Sequence, residues 1–505
     1  MKRSIRVVEN TIWEMGYYIA VILLGFLAPR YIILYYGSEV NGLSTTITQI
    51  LNIIMILQSG ATTAAIYSLY KPIADDDLEQ IEKNVAAAEQ AFRKIAWIFL
   101  GLMFVAAVIY PFTINSELDS INIFIAFILM GIKSFVDLLY TAKFRIVFTA
   151  YQEKFYVSIA TLIEQIVYYA LVFISIFSHG HYLFIYLWFL LGCFVKILFL
   201  WVFFKKKHGM INTRQYRHEK LAIGGRTYAL ANEVAHSTVG SSVAIILSIM
   251  YGLQETSVYS VYSLVGQALS LITTAIYSAF APSFGNLIAQ GDKEHASHIY
   301  GIFQYIYMMM NIFMMMCMLF LITPFVRIYT VGVNDFDYVN MLLAILMVIS
   351  SLFSAFRIPY NVLVSTMGYF KETWLQPVLS AVLSVSLSVG LGMINYSFII
   401  IGPIVFYILN FSYQHWKLKK LVPWMIDNRR VASLLIISVG GLIISWLLIG
   451  CFTIPDTVIA FLIAAMLFTI CAIAYLLLSS AVIMRDDLNN AMNYIRGLIA
   501  NKAGK

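Results

Sequence analysis

The stretch that decides the fold is residues 35–77, YYGSEVNGLSTTITQILNIIMILQSGATTAAIYSLYKPIADDD, because residues 250–292 repeat its pattern as MYGLQETSVYSVYSLVGQALSLITTAIYSAFAPSFGNLIAQGD. Each copy opens on Tyr-Gly (Tyr36 and Gly37; Tyr251 and Gly252). Each runs through an apolar segment flecked with polar residues to AIYS (65–68; 275–278), and each closes on a proline and an acidic segment. A second pair keeps nearly the same spacing: TAYQEKF around Lys154 lies 217 residues before STMGYFKETW around Lys371. Two related segments far apart in one apolar chain predict an internal duplication.

Working outward, the solvent of this chain is lipid. Of its 505 residues 61% are hydrophobic and 12% charged, about half the charge a soluble domain carries. A spanning helix needs about 20 mostly apolar residues. Runs of that kind cover 11–34, 42–69, 95–115, 121–142, 156–178, 182–204, 226–250, 257–284, 300–325, 340–365, 373–394, 396–416, 432–452 and 457–483. The first contains Glu14 and Arg30 and no small-residue cleavage site, so it is expected to be a retained helix rather than a signal peptide. The net charge of +7 comes from topology, not from nucleic-acid binding. Lys and Arg cluster at 2–6, 143–154, 205–220 and 417–430, while the alternate loops carry only Arg30 and Arg327. By the positive-inside rule both termini are expected in the cytoplasm, which requires an even helix count.

The expected fold is therefore an all-α polytopic membrane protein of about fourteen transmembrane helices. An even number of helices per copy gives both copies the same orientation. The copies become two six-helix lobes related by a pseudo-two-fold axis along the membrane normal, with two extra C-terminal helices. The expected divisions are 1–207 for the first lobe, 208–225 for a cytoplasmic linker, 226–420 for the second lobe, and 421–505 for helices 13 and 14 with a cytoplasmic tail. The charged segment 71–94 is expected to form a short amphipathic surface helix, as is the tail from Arg485.

Ionisable residues inside the spans point to a transport pathway, since charges in lipid face a cavity or one another. At 1.5 Å of rise per residue, Lys133 lies roughly 15 Å from the level of Lys143, and Lys196 roughly 13 Å from Lys205. Arg357 falls near the midplane, Glu164 is also deep, and Glu14, Asp137 and Glu233 are shallower. Polar stripes at helical spacing accompany them. One is Ser350, Ser354, Arg357, Asn361 and Ser365; a second is Gln376, Ser380, Ser384 and Ser388; a third is Glu233, Ser237 and Ser241 beside His236. A fourth and fifth are Thr45, Gln49 and Asn52, and Ser263, Gln267 and Ser270. The candidate substrate-binding residues are Arg357, Lys133, Lys196, Asn361, Ser354 and Gln267, led by Arg357, whose guanidinium grips phosphate bidentately. The candidate ion-coupling residues are Glu233, Asp137, Glu164, Glu14 and His236. Three deep cations against four acids do not make a plainly cationic cleft. The competing readings are that serine stripes only pack helices closely, that Lys133 and Asp137, four residues apart, neutralise each other, and that Glu164 pairs with Lys196.

Some chemistries are excluded by what is missing. The chain has no G-x-x-x-x-G-K-[ST] phosphate loop, no H-E-x-x-H, no paired-cysteine motif and no nucleophile elbow. Cys193, Cys317, Cys451 and Cys471 all sit in apolar runs without ligand spacing. No metal, cofactor or catalytic group is expected.

At the level of motifs the chain resembles the polysaccharide transporter (O-antigen/oligosaccharide flippase) family of the multidrug/oligosaccharidyl-lipid/polysaccharide exporter superfamily. The resemblance is carried by GSEVNGL and SGATTAAIYSLYKPIADDD within 37–77, YGLQETSVYSVYSLV (251–265), APSFGNLIAQGDKE (281–294) and STMGYFKETW (365–374). It implies two six-helix bundles with alternating access in an inner membrane. The implied substrate is an oligosaccharide repeat unit on undecaprenyl pyrophosphate, flipped outward for O-antigen, capsule or exopolysaccharide synthesis. A proton or sodium ion would be the coupling ion, and a polymerase a transient partner. One departure stands out: relatives often carry an acidic residue in helix 7 where this chain has Ser241 and Ser242, and Glu233 is the nearest acid. The alternatives are a peptidoglycan-precursor flippase, a drug or cation antiporter, and a membrane polymerase or ligase. The short outer loop 326–338 argues against the last.

Overall fold

The structure, a computed structural model, describes residues 2–216, 227–290, 292–452 and 454–503. Among them there is no strand. The helices are α1 (Lys2–Tyr36), α2 (Ser38–Met55), α3 (Ser59–Ala74), α4 (Leu78–Ile109), α5 (Ser120–Tyr140), α6 (Ala142–Ala150), α7 (Phe155–Phe177), α8 (Leu183–His208) and α9 (Thr227–Met250). They continue as α10 (Leu253–Gln290), α11 (Lys293–Tyr329), α12 (Met341–Met367), α13 (Phe370–Thr373), α14 (Leu375–Gly392), α15 (Ile401–Leu421), α16 (Asn428–Cys451), α17 (Val458–Ile483) and α18 (Arg485–Ala503). Among the described residues twelve helical stretches are long and apolar enough to cross a membrane. The other two expected runs are occupied by α1, whose clearly apolar part is Ala20–Tyr36, and by the polar-flecked α10. The chain is thus a multi-pass, all-helical membrane protein. Contacts divide it into two compact units, Met1–Ser260 and Val261–Lys505.

Several backbone features recur at the spacing of the sequence repeat. Gly37 ends α1 at φ 86°, and Gly252 ends α9 at φ 128°. Both turns need the left-handed region that only glycine enters without strain. Asp77 caps α4 by accepting from the Gln80 N–H at 3.0 Å, and Asp292, 215 residues on, caps α11 through the His295 N–H at the same distance. Gln152 (φ 60°) precedes α7, and Gly368 (φ 76°) closes α12, 216 residues later.

In the first unit α2 is clamped on two sides. The Asn41 amide donates to Ser257 Oγ and Ser260 Oγ, both at 2.7 Å, and Ser241 of α9 donates to Gln49 at 2.8 Å. Gly42 lies against the Leu253 carbonyl, where a Cβ would collide. Two expectations are corrected here. Segment 71–94 forms no separate surface helix: α3 reaches Ala74, and after the turn at Asp77 the segment is the start of α4 itself. Its residues are strong helix formers, and Ile81, Val85, Ala86, Ala87 and Ala88 are buried, so the helix continues where the apolar run stops. Arg145, assigned to a loop, lies in α6, where Nη2 donates to Gln58 Oε1 at 2.9 Å beside the short 3₁₀ turn Ile56–Gln58.

In the second unit α11 is the axis. It packs on α12 and also on α16, α17 and α18, which have no counterpart in the first unit. Met308, Met314, Met315, Met316 and Met318 of α11 are buried. Met316 lies against Gly441, Met309 Sδ accepts from Ser480 Oγ at 3.5 Å, and Phe320 stacks on Phe468 with ring centres 4.2 Å apart. The tail from Arg485 is a helix, as its pattern predicts.

Candidate functional site

Three helices of the first unit bring four of the sequence-predicted ionisable residues together. Lys133 and Asp137 stand one turn apart on α5, Glu164 is on α7, and Lys196 on α8. Lys196 Nζ lies 2.5 Å from Asp137 Oδ1 and 2.8 Å from Glu164 Oε2, while Lys133 Nζ lies 3.2 Å from Glu164 Oε1. Glu164 is 1% exposed. Lys133 also sits over the Phe189 ring, 4.3 Å from its centre, and Thr141 Oγ1 donates to Asp137 at 3.1 Å. Tyr17 of α1 is within electrostatic reach of Glu164 and Lys196. The local cause is a missing side chain. At Gly192 a Cβ would stand 3.1 Å from the Glu164 carbonyl oxygen, so α8 lies close on α7 and Lys196, one turn further, reaches both carboxylates. The two ammonium groups and two carboxylates balance in formal charge.

The corresponding pair of helices in the second unit carries a neutral contact. Asn410 of α15 donates to Ser380 of α14 at 3.1 Å, and both side chains are buried. Ser380 stands 216 positions after Glu164, and Asn410 stands 214 positions after Lys196. The stripe of α14 is a packing seam. Ser384 and Ser388 are fully buried, Ser388 donates to the Ile399 carbonyl at 2.8 Å, and Gly402 of α15 abuts Ser388 Oγ and the Ser384 carbonyl.

Arg357 is buried on α12, with the phenols of Tyr307 and Tyr407 among its electrostatic neighbours. One turn on, Asn361 accepts from Gln414 Nε2 at 3.0 Å, and Ser354 is half-buried. Gln267 is exposed on α10, and an exposed carboxamide inside a span suits water better than lipid. On α9, Glu233 is exposed and His236 half-buried. The Glu14 side chain lies outside the described residues. The structure thus assembles Lys133, Asp137, Glu164 and Lys196, places Arg357, Ser354 and Asn361 along one helix, and leaves Glu233, His236 and Gln267 on other elements.

Sequence reasoning missed a second buried polar pair, a histidine against a carboxylate. His208 Nε2, at the end of α8, lies 2.9 Å from Glu153 Oε2, and the rings of Phe148, Tyr151 and Phe204 surround the imidazole. Burial, with Asp76 and Glu153 nearby, raises the Tyr151 phenol above its ordinary value. The only signal for this pair was a histidine closing a lysine run.

A scan against protein-family models finds no match, and neither does a search of curated proteins. Solved structures do match. An inward-facing multidrug resistance MATE transporter of the MOP superfamily aligns at TM-score 0.67 and 12% identity, covering 81% of this chain and 98% of its own. The lipid II flippase MurJ, in an inward closed conformation, aligns at 0.65 and 15%, covering 95% and 99%. A MOP superfamily transporter from Pyrococcus furiosus aligns at 0.57 and 14%, covering 82% and 96%. At these identities the likeness is one of fold: this chain has the helical architecture shared by MATE transporters and MurJ.

Proposed function

We propose that this chain is a flippase that moves undecaprenyl-pyrophosphate-linked oligosaccharide units from the cytoplasmic to the outer face of the inner membrane by alternating access. The observation that carries this reading is the extent of the fold match. The MATE and Pyrococcus structures cover 81–83% of the chain. The flippase named for lipid II covers 95%. A pyrophosphate head needs a polar, water-filled route, while the prenyl tail stays in lipid. Arg357 is the residue assigned to the phosphate, because a guanidinium stays charged and offers paired donors. Ser354, Asn361 and Gln267 supply hydrogen bonds to sugar. Lys133 and Lys196, expected from the sequence to bind substrate, are engaged by carboxylates, so they are moved to ion coupling together with Asp137 and Glu164. Glu233 and His236 remain coupling candidates on α9. The basic loops orient both termini to the cytoplasm.

Arg357→Ala is expected to abolish complementation of polymer export while the protein still reaches the membrane, and Arg357→Lys to restore only part of it. Normal export by Arg357→Ala would remove this residue from the pathway. A peptidoglycan-precursor flippase is the second reading, favoured by the same 95% coverage. Rescue of a strain lacking its lipid II flippase, without rescue of oligosaccharide export, would establish it.

A further inference from the structure

A pocket of about 630 Å³ opens in the second unit between the end of α10, the first turns of α11, and α18, and the transport reading does not use it. Its place in the fold is fixed by the tail helix. After Met484 the chain turns, and Arg430 of α16 holds α18 by donating through Nε and Nη2 to Asp487 at 2.9 and 2.8 Å. The guanidinium lies flat over Gly301 of α11, where a Cβ would stand 2.8 Å from its nitrogens. Buried Met484 and Ala491 seat the same helix. The space left between α18 and α11 is therefore a consequence of how the tail docks.

The lining has an apolar part and a polar part. Leu287, Ile299 and Ile302 make its apolar part. The polar lining is His295, His298, Asn490, Asn493 and Tyr494. Every one of these five can donate a hydrogen bond as well as accept one, and among the described residues no carboxylate lines the pocket. Lys293 comes two residues before His295 in the same first turn of α11, which Asp292 caps through the His295 N–H at 3.0 Å. A rim of side chains that can each donate a hydrogen bond above an apolar floor, beside the helix that follows the last candidate span, matches a ligand with a phosphate head and an acyl base. The volume lies within the usual range of small-ligand pockets, roughly 300–1,000 Å³.

We propose that this pocket binds the headgroup of an anionic phospholipid from the leaflet on the side of the tail. The first unit has no equivalent of α16 to α18, so each chain carries one such site. Occupancy fastens α18 to α11 and α10, and the site is separate from the buried charges assigned to transport.

The test uses the purified full-length chain in detergent, titrated with phosphatidylglycerol, phosphatidylcholine or inorganic phosphate, and read by native mass spectrometry and by Tm. Phosphatidylglycerol is expected to bind at one site per chain at least tenfold more tightly than phosphatidylcholine, and to raise Tm. The double variant His298→Leu/Asn493→Leu should lose both effects while keeping the parent's Tm without lipid. If that variant does not fold, Asn490→Ala and Tyr494→Phe should each weaken binding severalfold. Arg357→Ala should bind phosphatidylglycerol normally, which separates this site from the transport reading. Equal binding of the two lipids, an undiminished response in folded variants, or the whole Tm shift from phosphate alone would overturn the proposal.

Discussion

Lys196 holds two carboxylates at once, and its removal should be felt more than that of any other charge in the first unit. Lys196→Met leaves Glu164 and Asp137 facing each other without their shared cation, and breaking a buried pair in this way costs about 3–5 kcal/mol. Thermal unfolding in detergent should show the loss. Lys133→Met should cost less, since Lys133 makes one longer ion pair and its side chain is 15% exposed. Adding Glu164→Gln to Lys196→Met should recover part of the loss, because the two changes share an interaction. The sequence made the candidates legible: ionisable residues inside apolar runs are rare enough to be noticed. It made the pairing legible in part: Glu164 with Lys196, one of the readings the sequence offers, is made at 2.8 Å, whereas the partner of Asp137 was not readable. Lys133 and Asp137 look like natural partners on one helix, yet Lys196 takes Asp137 because Gly192 admits α8 close to α7. Which helices approach closely is a tertiary fact, and one glycine among the chain's 28 gives no sign of it. Glu153 and His208 were missed for the same reason, being far apart in sequence and joined only by packing.

At the scale of elements, paired turns and paired caps divide what was readable from what was not. Tyr-Gly could be seen twice in the sequence, and both glycines occupy the left-handed region. Gly252→Ala should cost about 1–2 kcal/mol. Gly240→Ala should be neutral or stabilising by up to about 1 kcal/mol, because it lies within α9 with open space around its Cβ position. Differential thermal melts of the two variants would check the contrast. Polar stripes were readable as stripes but not as wet or dry. Those of α12 and α14 look alike on a helical projection, yet Ser384 and Ser388 are sealed against α15 by Gly402. Cysteines placed at Ser354 and Asn361 are expected to react with water-soluble thiol reagents, whereas one at Ser384 should stay inert. Segment 71–94 misled because charge marks where lipid ends, not where a helix ends, and strong helix formers carried α4 straight through that boundary.

For the whole molecule, composition and run length were sufficient, because a chain in lipid must satisfy its backbone within helices. Each of the fourteen expected runs is occupied by helix. Orientation makes its own prediction: alkaline phosphatase fused within 116–119 or 334–337 should be active, and fused within 423–427 inactive, with a cytoplasmic reporter giving the reverse. The covering of α11 by α16, α17 and α18 was not readable, since a helix apolar on all sides does not say which side meets lipid and which meets protein. That covering makes Met316 a built-in recorder. Thioethers are flexible, readily repacked and chemically soft, and peroxide converts them to sulfoxides when it can reach them. While the appended helices stay docked, Met316, which lies against Gly441 of α16, should resist oxidation in peptide mapping. Oxygen gained there during turnover would register the moments when the C-terminal helices peel back.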